Sequence, residues 1–122
     1  MSKLVKFNKK GGIISVQITV STYLPWKYKY VGEKSYEADS ENNPPKFPHK
    51  YDLGKPEQMN FRNHAWDVYI FNAKLEQDYD VKIAWLQEGN NVPLEEWKVK
   101  SKTKEDDKEV ITLSDSARFL GV

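Results

Sequence analysis

The sequence predicts an all-β protein: an antiparallel β-sandwich of jelly-roll or immunoglobulin-like type with about seven to eight strands, or a small β-barrel as the alternative. Three observations lead to this fold class. Apolar and polar residues alternate along most of the apolar segments, and turn-forming residues separate these segments at short intervals. In addition, no apolar pattern of helical period continues for more than about two turns.

The clearest strand covers residues 13–24. Its apolar face consists of Ile14, Val16, Ile18, Val20, Thr22 and Leu24. Pro25 interrupts the pattern, because proline donates no backbone hydrogen bond, and the alternation then resumes in the same phase over residues 26–31. This second strand places Trp26, Tyr28 and Tyr30 on one face and Lys27 and Lys29 on the other. Both segments are therefore predicted to be half-buried strands.

Shorter apolar segments predict the remaining strands. They lie near residues 4–7, 51–53, 66–71, 79–87, 96–100 and 109–113. Residues 33–50 lose the alternation and contain several prolines, so a long surface loop is predicted there. Residues 114–122 are predicted to form an irregular tail. Because the sequence shows neither repeats nor linkers, we expect residues 1–122 to form a single β domain.

Composition and charge exclude several classes of function. The 122 residues include no cysteine, which excludes a disulfide framework, a thiolate nucleophile and cysteine-ligated zinc or iron–sulfur centres. The net charge of +1 gives no field that would imply a polyanionic partner, and of the 19 basic residues only Arg62 and Arg118 are arginines. Because bidentate recognition of bases and phosphates is mainly performed by arginine, nucleic-acid binding is disfavoured.

The sequence predicts neither a signal peptide nor a membrane-spanning segment. Lysines near the N-terminus resemble the basic part of a signal peptide, but the apolar stretch that follows is interrupted by Gln17 and Thr19. No apolar run approaches the roughly 20 residues needed to cross a bilayer. We therefore expect a cytoplasmic protein, with export by a non-classical route as the alternative.

Pairing the strands by their apolar faces brings three of the four tryptophans into one row. If residues 79–87 and 95–100 form a hairpin, Trp85 faces Trp97. If the strand beginning at Trp66 pairs with residues 79–87 as well, Trp66 faces Trp85. This tryptophan row would lie near one end of a sheet, beside the loops at residues 54–65 and 88–95.

The tryptophan row has two interpretations. Its rings either fill the core, or they form an exposed floor on which a sugar or a base stacks. The neighbouring loops supply amides, charged groups and a histidine, which suit a pocket for a polar ligand. The candidate ligand-binding residues are His64, Trp66, Trp85, Trp97, Asn90 and Asn91. The rest of that face is aliphatic, which favours the core interpretation.

Two further segments are candidates for binding. In the loop of residues 33–50, the aromatic side chains of Tyr36, Phe47 and His49 would either bind a partner or pack back over the sandwich. The strip of residues 26–30, in which lysines alternate with aromatics, suits contact with anionic lipid or single-stranded nucleic acid. Its aromatics keep the phase of the preceding apolar face, however, which favours a core strand with solvated lysines.

Catalytic chemistry has little support in this sequence. Only His49 and His64 are available as bases near neutral pH, and no nucleophile elbow, phosphate loop or metal-ligand spacing is present. We therefore expect no enzyme activity, no cofactor and no metal site, and instead a binding or interaction domain for a glycan or another protein. The alternatives are a structural subunit that pairs through an edge strand such as residues 13–24, and a small hydrolase-type enzyme. Peripheral membrane contact and a homo-oligomer also stay open.

Overall fold

The alternating segments fold into two packed sheets. The computed structural model describes residues 2–44 and 46–122, so Pro45 of the predicted loop, like Met1, lies outside the described residues. The strands are β1 (Lys3–Phe7), β2 (Ile14–Thr22), β3 (Trp26–Val31), β4 (Ser35–Asp39), β5 (His49–Gly54), β6 (Asn63–Phe71), β7 (Asp78–Gln87), β8 (Glu95–Lys102) and β9 (Val110–Gly121). One short helix, α1 (Pro56–Met59), lies between β5 and β6. The predicted sandwich is confirmed, and the described strands do not close into a barrel.

The strand order is β1-β9-β6-β3-β4 in the first sheet and β5-β2-β7-β8 in the second. Neighbouring strands are antiparallel except β1, which runs parallel to β9 with Lys3 opposite Ala117. We call the end where residues 23–25 connect β2 to β3 the Tyr23 end. The opposite end, where residues 88–94 connect β7 to β8, is called the Asn90 end.

Two predictions about irregular segments were wrong. Residues 114–122 are not an irregular tail, because β9 continues to Gly121 and pairs with both β6 and β1. Asp115 occupies an inward position of this strand, so the sequence there does not alternate cleanly between apolar and polar residues. The predicted loop of residues 33–50 contains β4, which pairs with β3, and the first residues of β5. β4 is a short edge strand with a polar outer face, so it resembles a loop in sequence.

The predicted strand pairings were also wrong in part. β6 pairs with β3 and β9 in the first sheet, and not with β7. β7 and β8 do form the predicted hairpin, but Trp85 lies opposite Glu95, and Trp97 lies opposite Ile83. The observed register is shifted by two residues from the predicted one. Because a shift of two residues keeps every side chain on the same face of the sheet, matching apolar faces cannot distinguish the observed register from the predicted one. β2, proposed as an edge strand, is an interior strand between β5 and β7.

The inner faces of the two sheets form one main core. The largest fully buried side chains include Trp85, Tyr28, Tyr30, Phe7 and Phe119. In β3 every aromatic side chain is buried and Lys27 and Lys29 are exposed, as the core interpretation of this strip requires. In the part of the chain that the structure describes, no helix has the length and apolar character needed to cross a membrane.

We predict that Trp85→Ala lowers the free energy of unfolding by about 3–5 kcal/mol, the usual cost of deleting a large buried aromatic side chain. Trp85 is 0% exposed and contacts ring systems of the opposite sheet. Equilibrium urea denaturation measures the change. Tyr23→Ala is the control, since this side chain is 84% exposed and its loss should change the free energy of unfolding by no more than about 0.5 kcal/mol. If Trp85→Ala lowers the free energy of unfolding by less than about 1 kcal/mol, the Trp85 ring does not make the expected contribution to core stability.

Candidate functional site

The predicted ligand-binding residues divide between the interior and the surface. His64 and the three tryptophans of the predicted row are buried, and the most exposed of them, Trp97, is only 8% exposed. Asn90 and Asn91 are exposed in the connection between β7 and β8. The rings therefore belong to the core, and they do not form an exposed floor beside the two amides.

The three tryptophans pack across the interior, and not along one sheet. Trp66 of the first sheet lies between two rings of the second, with centroids 5.4 Å from Trp85 and 5.3 Å from Trp97. The indole N–H of Trp97 donates to Asp115 Oδ2 at 3.1 Å, and that of Trp85 donates to Tyr30 Oη at 3.0 Å. Trp66 Nε1 has no hydrogen-bond partner among residues 2–44 and 46–122. Such a buried donor costs about 1–3 kcal/mol, which the packing of the rings must offset.

A chain of hydrogen bonds leads from this core to the surface. Tyr30 Oη accepts from Trp85 and lies 2.8 Å from His64 Nδ1, while His64 Nε2 lies 3.1 Å from a carboxylate oxygen of Glu33. The side chains of Trp85, Tyr30, His64 and Glu33 all have hydrogen-bond partners in one arrangement. In it the Tyr30 hydroxyl donates to Nδ1 of a neutral His64, and the Nε2–H of His64 donates to the Glu33 carboxylate. The chain ends in solvent, because the Glu33 side chain is 39% exposed and that of His64 only 1%.

His64 is placed for structure more than for ligand binding. A Cβ at Gly32 would lie 2.4 Å from His64 Nε2, so the β3–β4 turn approaches the ring more closely than any other residue would allow. The adjoining cavity, about 60 Å³, has room for about two water molecules and not for a sugar. Burial lowers the pKa of His64, while the neighbouring Glu33 carboxylate raises it and offsets part of this effect.

The predicted partner-binding residues lie where the edges of the two sheets approach each other. Tyr36 of β4 stacks on Tyr51 of β5 with centroids 4.5 Å apart. His49 Nδ1 lies 2.8 Å from the hydroxyl of Tyr28. These two predicted residues therefore pack back onto the sandwich, whereas Phe47 stays 54% exposed beside the His49 ring.

A surface cleft lies at the Tyr23 end of the sandwich. Its volume is about 670 Å³, and it is lined by Tyr23, Lys46, Gln77, Asp78, Asp80 and Lys100 among others. Tyr23 is 84% exposed, so its ring projects from the wall without a packing role in the core. We call this feature the Tyr23 cleft.

Local hydrogen bonds hold the walls of the Tyr23 cleft. Thr22 Oγ1 donates to the carbonyl of Asp78 and accepts from the backbone N–H of Leu24, which fixes the turn that carries Tyr23. Lys46 adopts a left-handed backbone conformation with φ of 63°, and its N–H donates to the carbonyl of Val20 at 3.2 Å. The cleft therefore lies between the end of the second sheet and the connection between β4 and β5.

The sequence contains one signal for Tyr23, which is the phase of the alternation along β2. Tyr23 is an outward-facing aromatic, because the alternation that turns Val20 and Thr22 inward places it in phase with the polar residues of β2. The residues of the opposite wall of the cleft, Asp80 and Lys100, could not be predicted from the sequence in this way. Their placement depends on the pairing of Ser21 with Asp80 and of Asp80 with Lys100, which only the observed registers give.

The sheet edges give little support to assembly through an added strand. The true edge strands are β1, β4, β5 and β8. β1 and β4 have five residues each and β5 has six, while β8 carries Lys98, Lys100 and Lys102 along its outer face. Short length and lysines both discourage pairing with another chain.

We predict that the imidazole of His64 titrates below the usual histidine pKa, and that Glu33→Gln lowers this pKa further by removing the carboxylate that favours the protonated ring. Because the folded pKa lies below the unfolded one, the unfolded chain binds more protons. The free energy of unfolding should therefore fall as the pH decreases through the usual histidine range and toward the folded pKa. NMR titration of the imidazole resonances and denaturation at several pH values measure both effects. A His64 pKa at or above the usual value contradicts the buried neutral ring.

Comparison with known proteins does not assign the chain to a family. No protein-family model, no curated protein and no solved structure matches the chain significantly.

Proposed function

We propose that this protein is a non-catalytic carbohydrate-binding domain whose ligand occupies the Tyr23 cleft. The observation that carries the proposal is the position of Tyr23: an 84% exposed aromatic ring on the wall of a cleft of about 670 Å³. Ligand pockets commonly have volumes of roughly 300–1,000 Å³, so the cleft has the size of a small-molecule site.

The chemistry of the walls matches a sugar. The face of a tyrosine ring offers an apolar surface on which the C–H groups of a sugar can stack, and its hydroxyl keeps a polar edge in water. Asp78 and Asp80 accept hydrogen bonds from hydroxyl groups, Gln77 both donates and accepts, and Lys46 and Lys100 donate. Carboxylates and lysines occur together, so the cleft presents no single sign of charge that would select an ionic ligand.

The polar lining of the Tyr23 cleft favours a small ligand over a protein partner. Phe47 and Leu75 are also exposed in loops of the Tyr23 end, but neither side chain lines the cleft. A stable protein interface usually buries roughly 800 Å² on each partner around an apolar centre. Tyr23 is surrounded in the cleft mainly by polar and charged side chains, which do not provide such a centre.

The positions of the histidines favour binding over catalysis. His64 is buried at the Asn90 end, and His49 is turned toward Tyr28 in the space between the sheet edges. Neither of these two side chains, which are the best suited to acid–base chemistry near neutral pH, lines the Tyr23 cleft.

We predict that Tyr23→Ala weakens sugar binding about tenfold or more, because the stacking surface is lost. Isothermal titration calorimetry with a panel of neutral disaccharides, namely cellobiose, xylobiose, chitobiose and mannobiose, measures the affinity. Phe61→Ala is the matched control, since Phe61 is a second exposed aromatic ring at the other end of the molecule and is 61% exposed. It should leave binding unchanged.

Two results would contradict the proposal. One is binding that Tyr23→Ala leaves intact, which would place the ligand elsewhere on the molecule. The other is the absence of binding by wild-type protein to every sugar and oligosaccharide tested. The urea midpoint of Tyr23→Ala should match that of the wild type, which shows that lost affinity does not come from unfolding.

A further inference from the structure

The Tyr23 cleft continues onto the outer face of the second sheet. The outward-facing residues of β2 are Ser15, Gln17, Thr19 and Ser21, an uninterrupted line of neutral hydrogen-bonding side chains. Ser21 lines the Tyr23 cleft, and Ser15 lines a second cavity of about 270 Å³ at the Asn90 end. At about 3.3 Å per residue, this line is roughly 20 Å long, the length of several linked sugar rings.

We call this line the floor, and the longer side chains beside it the flanks, of a trough. Ser15 and Ala84 both point outward, yet they are only 3% and 6% exposed, which shows that neighbouring side chains stand higher than they do. Gln17 lies between Lys50 of β5 and Ala84 of β7, and Thr19 lies beside Lys82. Lysine side chains therefore flank the line at Gln17 and at Thr19.

The charges at the flanks of the trough compensate one another. Lys82 Nζ lies 2.8 Å from Glu96 Oε2, and Lys98 Nζ lies 3.8 Å from the same oxygen. Asp80 is paired across the sheet with Lys100. Opposite charges placed in this way leave no extended field of one sign, so the trough suits an uncharged polymer and not a polyanion.

We propose that the ligand is an extended, uncharged oligosaccharide that lies along β2 from Tyr23 to Asn90. This inference rests on the proposed function, because it takes the Tyr23 ring as the stacking site for one end of the glycan. Serine, threonine and glutamine side chains each donate and accept hydrogen bonds, so the floor matches sugar hydroxyls in either direction. The amide of Asn90, beside the second cavity, contacts the other end.

The test compares short and long forms of the same neutral glycans. Calorimetry would use the dimers and hexamers of the cello-, xylo-, chito- and manno-oligosaccharide series. The wild type should bind the hexamer of the preferred series about tenfold or more tightly than its dimer, because the hexamer alone reaches Gln17, Thr19 and the second cavity.

Variants on the floor separate the trough from the Tyr23 cleft. The double variant Gln17→Ala with Thr19→Ala should weaken hexamer binding about tenfold and leave dimer binding unchanged. Asn90→Ala should also weaken binding of the hexamer alone. Thr112→Ala is the matched control, because Thr112 is an outward-facing, exposed threonine of β9 on the opposite sheet. It should alter neither affinity.

The possible failures are distinguishable. If the hexamer binds no more tightly than the dimer, or if the floor variants bind it normally, the extended site is wrong, while loss of dimer binding in Tyr23→Ala still supports the Tyr23 cleft. Tighter binding of an acidic oligosaccharide, such as oligogalacturonate, overturns the assignment of an uncharged ligand. If no oligosaccharide of any length binds, both this inference and the proposed function are wrong.

Discussion

The packing of Trp66 against Trp85 and Trp97 is the constraint on which the rest of the structure depends. These rings come from different sheets and meet with centroids less than 6 Å apart, so they fix how the two sheets face each other. Large aromatic side chains contribute most of the apolar area of a small core, and edge-to-face contacts add to that burial. Once these rings point inward, the period-two geometry of each strand determines which residues remain outside. The outward-facing line of uncharged polar side chains on β2 and the exposed ring of Tyr23 both follow from this alternation.

Polar groups in this interior connect the core to particular surface turns. The hydroxyl of Tyr30 satisfies the indole of Trp85, and the imidazole of His64 then links Tyr30 to Glu33 in the β3–β4 turn. Because a buried polar group without a partner is costly, this chain ties the conformation of the turn to the packing of the tryptophans. His64, one of the two histidines available as bases near neutral pH, therefore holds the fold at the Asn90 end.

The sequence predicted the strands well and their partners less well. The alternation in residues 13–24 and 26–31 identified β2 and β3 together with their buried faces, because period-two patterning records which side of a strand meets the core. It does not record which strand lies beside which. Trp66 was therefore placed next to Trp85 in one sheet, whereas it packs on that ring from the opposite sheet. The continuation of β9 was missed for a different reason. Asp115 is a charged residue at an inward position, where its carboxylate accepts a hydrogen bond from the indole N–H of Trp97.

The candidate site was less predictable than the fold for a related reason. The tryptophans were candidates for a ligand-binding floor as well as for the core, which was the favoured interpretation. Three of the four form the core around Trp66, and the remaining one, Trp26, is buried in β3. The walls of the Tyr23 cleft come from β2, β7, β8 and the segment around Lys46, which are separated in the chain. Only the strand registers bring Asp80 and Lys100 beside Ser21, so no local motif in the sequence describes this cleft.

The position of β9 has a consequence for how the molecule reaches this state. β9 follows every other strand in chain order, yet it lies inside the first sheet, between β1 and β6. Until β9 is in place, β1 has no strand partner among the described residues, and one edge of β6 stays open. The second sheet lacks this dependence, since its strands all precede β9. The first sheet is therefore complete only when β9 joins β1 to β6, and this pairing closes the long loop between Lys3 and Ala117.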